Sequence, residues 1–162
     1  MLLALVLTFG TAYAGDSDVK TSESEHVQGQ GQHLEQAFFN SADLAGANLR
    51  HARLTDAHLN SANLDSADLA NADMRRVDAR YADLTNTNLS GADLKAADLS
   101  FSDLSGADLR GADLRGTYLV GAKLNGADLR GATLGLTNLV GADVRGAQLP
   151  EGLDVAFIHH WP

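Results

Sequence analysis

The chain has 162 residues, 44% hydrophobic and 20% charged, with a formal net charge of −9. That balance suits one soluble domain and disfavours a basic nucleic-acid binder. With no cysteine and only 6% aromatic residues, disulfides, thiolate zinc sites and thiol catalysis are excluded, and so is a conventional core of large rings.

Residues 1–14 are an apolar run of signal-peptide length that ends Ala12-Tyr13-Ala14, a small-x-small cleavage pattern ahead of Gly15. The run is too short to span a bilayer, and no Lys or Arg precedes it. Residues 15–33 carry Asp16, Asp18, Glu23 and Glu25 with few apolar groups. They read as an acidic disordered linker. Residues 34–39 are expected to lead into the next segment as a short helix or irregular turn that covers its open end.

From Phe39 to Leu149 the chain repeats every five residues. Of the 23 central positions 19 are Leu, and 18 of the 23 positions two residues earlier are Ala. The position between them is Asp or Asn in 16 of 23 repeats. A five-residue period would wind Leu around all sides of an α-helix, so no helix buries it. Within each repeat, however, Ala and Leu are two apart and share one face of an extended chain. The next two positions, often Ser, Arg or Lys and then Gly, read as a turn. Each repeat is thus a short extended piece and a corner, and many in series make an all-β solenoid.

This tandem Ala-(Asp/Asn)-Leu-x-x pattern resembles the pentapeptide-repeat family. The resemblance implies a right-handed quadrilateral β-helix over residues 34–150, with four repeats per coil, about six coils and short terminal caps. Residues twenty apart then stack, at the inter-strand spacing of about 4.8 Å. One repeat exchanges large and small, with Val77 where Ala is usual and Ala79 where Leu is usual. Their summed volume is nearly conserved, which predicts local repacking rather than a lost repeat.

Residues 151–162 are rich in large apolar groups. Leu153, Phe157, Ile158 and Trp161 are expected to cap the last coil or, alternatively, to form a homodimer contact, as in some family members.

The sequence offers little catalytic chemistry. The aspartates recur at one outward repeat position, so their placement follows the fold. Asp73, Asp93 and Asp113 fall in one column beside Arg75, Lys95 and Arg115, which predicts a charge-compensated surface. The histidines show no metal spacing, and the repeated glycines lack the strand–loop–helix setting of a phosphate loop. No catalytic residue, metal site or cofactor is assigned. One outward strip departs from the polar pattern: Tyr81, Phe101, Tyr118, Val120 and Val140 share one side of the coil. Exposed apolar strips of this kind mark partner sites.

Together these features point to a non-catalytic exported solenoid that presents a rigid surface to an unidentified protein partner. It would work in the periplasm, outside the cell, or in a thylakoid lumen. Nucleic-acid binding is not expected, nor stable membrane insertion once the signal is removed. The family also includes DNA-mimicking proteins that act on type II topoisomerases. That alternative fits poorly here, because residues 34–149 hold 15 acidic and 11 basic groups rather than a uniformly acidic surface.

Overall fold

A computed structural model describes residues 27–153. Within them the backbone advances by isolated parallel bridges, each joining a residue to the one twenty positions on: Arg53 to Asp73, Asp73 to Asp93, Asp93 to Asp113. Each five-residue repeat ends in a turn, so four repeats close one coil and give it four sides. We number them in chain order. Face 1 begins with residues 27–31, face 2 with 32–36, face 3 with 37–41 and face 4 with 42–46, and each recurs every twenty residues.

The repeat gives its backbone N–H groups fixed partners. In the repeat centred on Leu54, the Leu54 N–H donates to the Asp73 carbonyl of the next coil (2.7 Å), as the Asp56 N–H does to that of Arg75 (3.0 Å). The Asp73 N–H donates back to Ala52 (2.9 Å), and the Ala57 N–H closes the corner on the Leu54 carbonyl (2.9 Å). One donor per repeat is left over, that of the residue after the central one. The Asp or Asn two positions before it accepts this hydrogen: Arg75 N–H to Asp73 Oδ1 (3.3 Å), Ser90 N–H to Asn88 Oδ1 (3.1 Å) and Ser105 N–H to Asp103 Oδ1 (3.1 Å). This is the physical reason for the Asp/Asn preference, since the short side chain completes a set of donors that the ladder cannot satisfy alone. Where His58 occupies that position, Asn40 of the preceding coil accepts from the Asn60 N–H instead (3.1 Å).

Inside the coil, Leu and Ala pack to near-complete burial, Leu54, Leu94 and Leu114 among them. Val77 and Ala79 are both buried, and the ladder continues through them with Ala79 N–H to Asp98 (2.8 Å) and Asp98 N–H to Val77 (2.8 Å). The exchange is therefore a local repacking, as its volume predicted. Thr87 and Thr117 occupy Ala positions, and their buried hydroxyls donate to the Leu64 and Leu94 carbonyls at 2.9 and 2.7 Å.

Two boundaries differ from the sequence reading. Residues 27–33, assigned to the linker, are coil: Gln28 bridges Asn48 and His33 bridges Arg53. Residues 34–39 form regular repeats rather than a helix or an irregular cap, with Leu34 and Phe39 buried. The first repeat escaped recognition because its centre is Gly29. A Cβ there would lie 2.6 Å from the Leu49 side chain, which fills the space a central Leu would take. At the other end Leu134, Leu139, Val144 and Leu149 are only partly buried. The signal-like segment 1–14 and the rest of the linker lie outside the described residues, as do Phe157, Ile158 and Trp161. Leu153 is described and half-buried.

The corners impose the main backbone constraint. The second turn residue has a left-handed φ in every repeat from Gly31 to Gly146, a conformation free for Gly and costly for a Cβ. Ala96 sits there at φ 56°. Ala96→Gly is expected to raise stability by about 1 kcal/mol. Gly121→Ala is expected to lower it by more, because its Cβ would also meet the Phe101 ring at 2.8 Å. Urea unfolding midpoints of the two variants check both signs.

Candidate functional site

Face 3 and its two bounding corners carry all the large exposed apolar residues of the described chain. Tyr81 and Phe101 stand on the corner between faces 3 and 4. Their rings stack at 5.3 Å with planes 10° apart, and the Phe101 ring lies over Gly121, which has no side chain to obstruct it. Tyr118 is 51% exposed on the face itself, with Val120 and Val140 half-buried beside it. The five residues of the strip thus share one side of the molecule.

Two members escaped the sequence reading, Phe38 and Leu136. Phe38, 61% exposed, stacks on His58 at 4.7 Å and 7° at the N-terminal end of the same face. Leu136, 95% exposed, stands on the corner between faces 2 and 3. The signal was present, since Phe38 and His58 occupy Asp/Asn positions and Leu136 a glycine-type corner. Tyr81, Phe101 and Leu136 hold φ of 60°, 61° and 63°, which costs about 1 kcal/mol or more for each bulky side chain. The fold does not require them there, since Gly, Ser and Asn fill equivalent corners. Gln36, His51 and Arg76 hold much the same φ, so the backbone cost is common to the non-Gly corners and what sets these three apart is their exposed apolar side chains.

The charged groups divide differently. Arg75 grips Asp73 through two hydrogen bonds of 2.7 and 2.6 Å, and Arg115 grips Asp113 at 2.9 and 2.6 Å. Lys95 sits between Asp93 (2.8 Å) and Asp113 (3.5 Å). Arg80–Asp78 and Arg110–Asp108 repeat the arrangement on faces 3 and 1. The guanidinium hydrogen bonds pull Asp73 and Asp113 from the ordinary 3.8 to about 2. Such carboxylates are held ionised and are unsuited to general acid–base work near neutral pH.

Among the described aspartates, three lack a cation partner: Asp43, Asp65 and Asp83, all on face 4. Every other one has an Arg or Lys nitrogen within 3.9 Å. Neutral groups satisfy these three. Asp43 accepts from Asn63 (3.1 Å), Asp65 from Thr85 and Asn86 (2.8 and 3.1 Å), and Asp83 from the Thr85 hydroxyl (2.7 Å). No group of 3 or more described residues could hold a metal ion.

The comparisons agree with this architecture. Family models match as "Pentapeptide repeats", 8 copies over residues 92–131 and 117–151, and as "Pentapeptide repeat region" over residues 32–109. No curated protein matches the chain in sequence. Among solved structures, a pentapeptide repeat protein from the Arabidopsis thaliana thylakoid lumen is 34% identical, covering 55% of this chain and 62% of its own, with a TM-score of 0.53. A second, from the cyanobacterium Cyanothece 51142, is 35% identical over 63% of each chain, with a TM-score of 0.45. The chain therefore spans less than two thirds of either relative's length. QnrB1, a plasmid-mediated fluoroquinolone resistance protein, is 19% identical over 80% of this chain and 82% of its own, with a TM-score of 0.43.

The lowered carboxylates set a pH dependence. A group whose folded pKa lies below its unfolded value contributes stability above the unfolded value and loses it as pH falls through the folded one. Asp73 and Asp113 are therefore expected to lower the melting temperature progressively from about pH 4 to pH 2. Arg75→Ala should raise the Asp73 pKa by carboxylate NMR titration, because the guanidinium hydrogen bond is the largest cause of its lowering. An unmoved Asp73 would refute the guanidinium as the cause.

Proposed function

The chain belongs to the pentapeptide-repeat family, and from that premise we propose that it is a non-catalytic, exported solenoid that offers face 3 to a protein partner. Its finer architecture is the family's right-handed, four-sided helix of about six coils. The observation that carries the docking role is the segregation of exposed apolar groups: Phe38, Tyr81, Phe101, Tyr118 and Leu136 stand on one of four faces and its corners. A scaffold with no partner has no reason to gather them on one side. A convex surface whose aspartates are engaged by guanidinium groups or by the backbone offers no cleft in which to run a reaction.

Export rests on the apolar run ending Ala12-Tyr13-Ala14 and on the likeness to a thylakoid-lumen protein. The likeness to QnrB1 is one of fold alone. Faces 1 and 2 interleave acidic and basic side chains, which a DNA-like acidic surface would not do.

Two experiments test the reading. Mass spectrometry of protein recovered from its native compartment should give an N-terminus at Gly15; an intact Met1 would remove the export reading. Replacing Tyr81 and Phe101 together by Ser should abolish recovery of the partner in a pull-down while the circular-dichroism spectrum stays unchanged. Undiminished recovery would overturn the docking role.

A further inference from the structure

The register of the coil changes just past the repeat centred on Leu149. A corner normally closes through the N–H three residues after the central one, as Ala147 does on the Val144 carbonyl (3.0 Å). The left-handed φ normally falls on the second residue after the centre, as at Gly146. After Leu149 both marks arrive one residue late. The Leu153 N–H donates to the Pro150 carbonyl (3.4 Å), where the repeat would join residue 152 to Leu149. The left-handed residue is Gly152 (φ 79°) in place of Glu151. The ladder stops here as well. The Leu114 and Gly116 N–H groups donate to the Thr133 and Gly135 carbonyls (both 2.9 Å), but those of Leu134 and Leu136, one coil on, have no partner among the described residues. Leu134 is only partly buried, whereas Leu114 is fully so. Face 2 therefore ends in an open edge, which β-structures rarely leave uncovered.

We infer that residues 153–157 cover this edge as one further repeat on face 2, displaced by the single residue that the turn at Pro150 to Gly152 inserts. Counted from the late corner, the next five residues are Leu153-Asp154-Val155-Ala156-Phe157. Leu153 and Val155 then take the two inward positions and Asp154 the outward one between them, which is the repeat's own pattern. Leu153 is half-buried at the start of that edge. Without the displacement Gly152 and Asp154 would face inward, and a carboxylate would enter an apolar interior. A slip of one residue exchanges the two sides of an extended chain, so the inserted residue is what allows this segment to pair. Columns then join residues twenty-one apart, Leu134 with Val155 and Leu136 with Phe157. The Leu134 N–H donates to the Asp154 carbonyl and the Leu136 N–H to that of Ala156. The Asp154 carboxylate accepts from the Ala156 N–H, as Asp73 does from Arg75. Phe157 falls on the corner beside Leu136, which is 95% exposed, and extends the apolar border of face 3 by one rung. The occupant of the open edge is thus the chain's own continuation and not a second copy.

Amide hydrogen exchange on the full chain tests the pairing. The Leu134 and Leu136 N–H groups should be protected roughly tenfold or more over those of Val144 and Gly146, which lie on the edge of face 4 that residues 153–157 do not reach. Equal exchange at the four groups would overturn the inference. Val155→Asp should abolish the protection of Leu134 and Leu136 and leave that of Leu94 unchanged, so that loss of the fold is recognised separately. Protection indifferent to Val155→Asp would also overturn it. The register is read directly by introduced cysteines, since the sequence has none of its own. Thr133→Cys with Asp154→Cys sets two outward side chains in one column about 4.8 Å apart, within the span of a disulfide. That pair should close within the monomer roughly tenfold faster than Thr133→Cys with Leu153→Cys, which the displacement puts on opposite sides of the chain. Closure of the 133–153 pair at an equal or greater rate would overturn the displacement. Disulfide-linked dimers, or protection of Leu134 and Leu136 that rises with protein concentration, would assign the edge to a second copy and overturn the inference likewise.

Discussion

The twenty-residue register of the backbone ladder governs everything displayed on this surface. Each coil hydrogen-bonds to the next through fixed positions of the repeat, as Leu54 does to Asp73 and Asp73 to Ala52. A slip of one residue would turn the Leu series outward and the Asp series inward, so the register is strongly specified. Because it is constant, chemically alike side chains from successive coils are brought into columns about 4.8 Å apart. The columns turn a one-dimensional pattern into stacked rings, guanidinium–carboxylate rows and strained corners.

The abundant aspartates acquire their meaning from that ladder. The N–H after each central residue has no backbone acceptor, and the short side chain two positions back supplies one, as Asp73 does for Arg75 and Asn88 for Ser90. A carboxylate held this way has a free oxygen to offer, and at Asp73, Asp78, Asp108, Asp113, Asp128 and Asp143 an arginine two residues on takes it. Charge on this molecule is thus first a device for completing the backbone. Asp43 and Asp83 complete the backbone in the same way, accepting from the Ala45 and Thr85 N–H groups, but their further donors are the neutral side chains of Asn63 and Thr85.

The corners show the complementary effect. Glycine fits a left-handed turn without cost, and the C-terminal half uses it at Gly106, Gly111, Gly116, Gly121 and Gly126. Where Tyr81, Phe101 and Leu136 replace it, the backbone gains nothing, yet all three border one face. The Phe101 ring also depends on Gly121 beneath it, since a Cβ there would strike the ring. Glycine and aromatic are therefore matched across coils, so this patch is a property of the stack and belongs to no single repeat.

The sequence by itself determined the solenoid, its inward Ala and Leu series, the tolerance of the Val77/Ala79 exchange and the shared side of Tyr81 and Phe101. It could do so because a strict period leaves the chain one consistent way to bury its apolar positions. It misplaced the N-terminal boundary because Gly29 carries no side chain to mark the register, although the backbone still pairs there. Only the tertiary structure decided which aspartates are neutralised, since Arg50 reaches Asp68 and Arg76 reaches Asp56 from another coil. It also decided that Phe38 stacks on His58 and that Leu136 closes the far edge of the same face. Those outcomes depend on how side chains from different coils meet across the ladder, a distance of one inter-strand spacing in space and twenty residues along the chain.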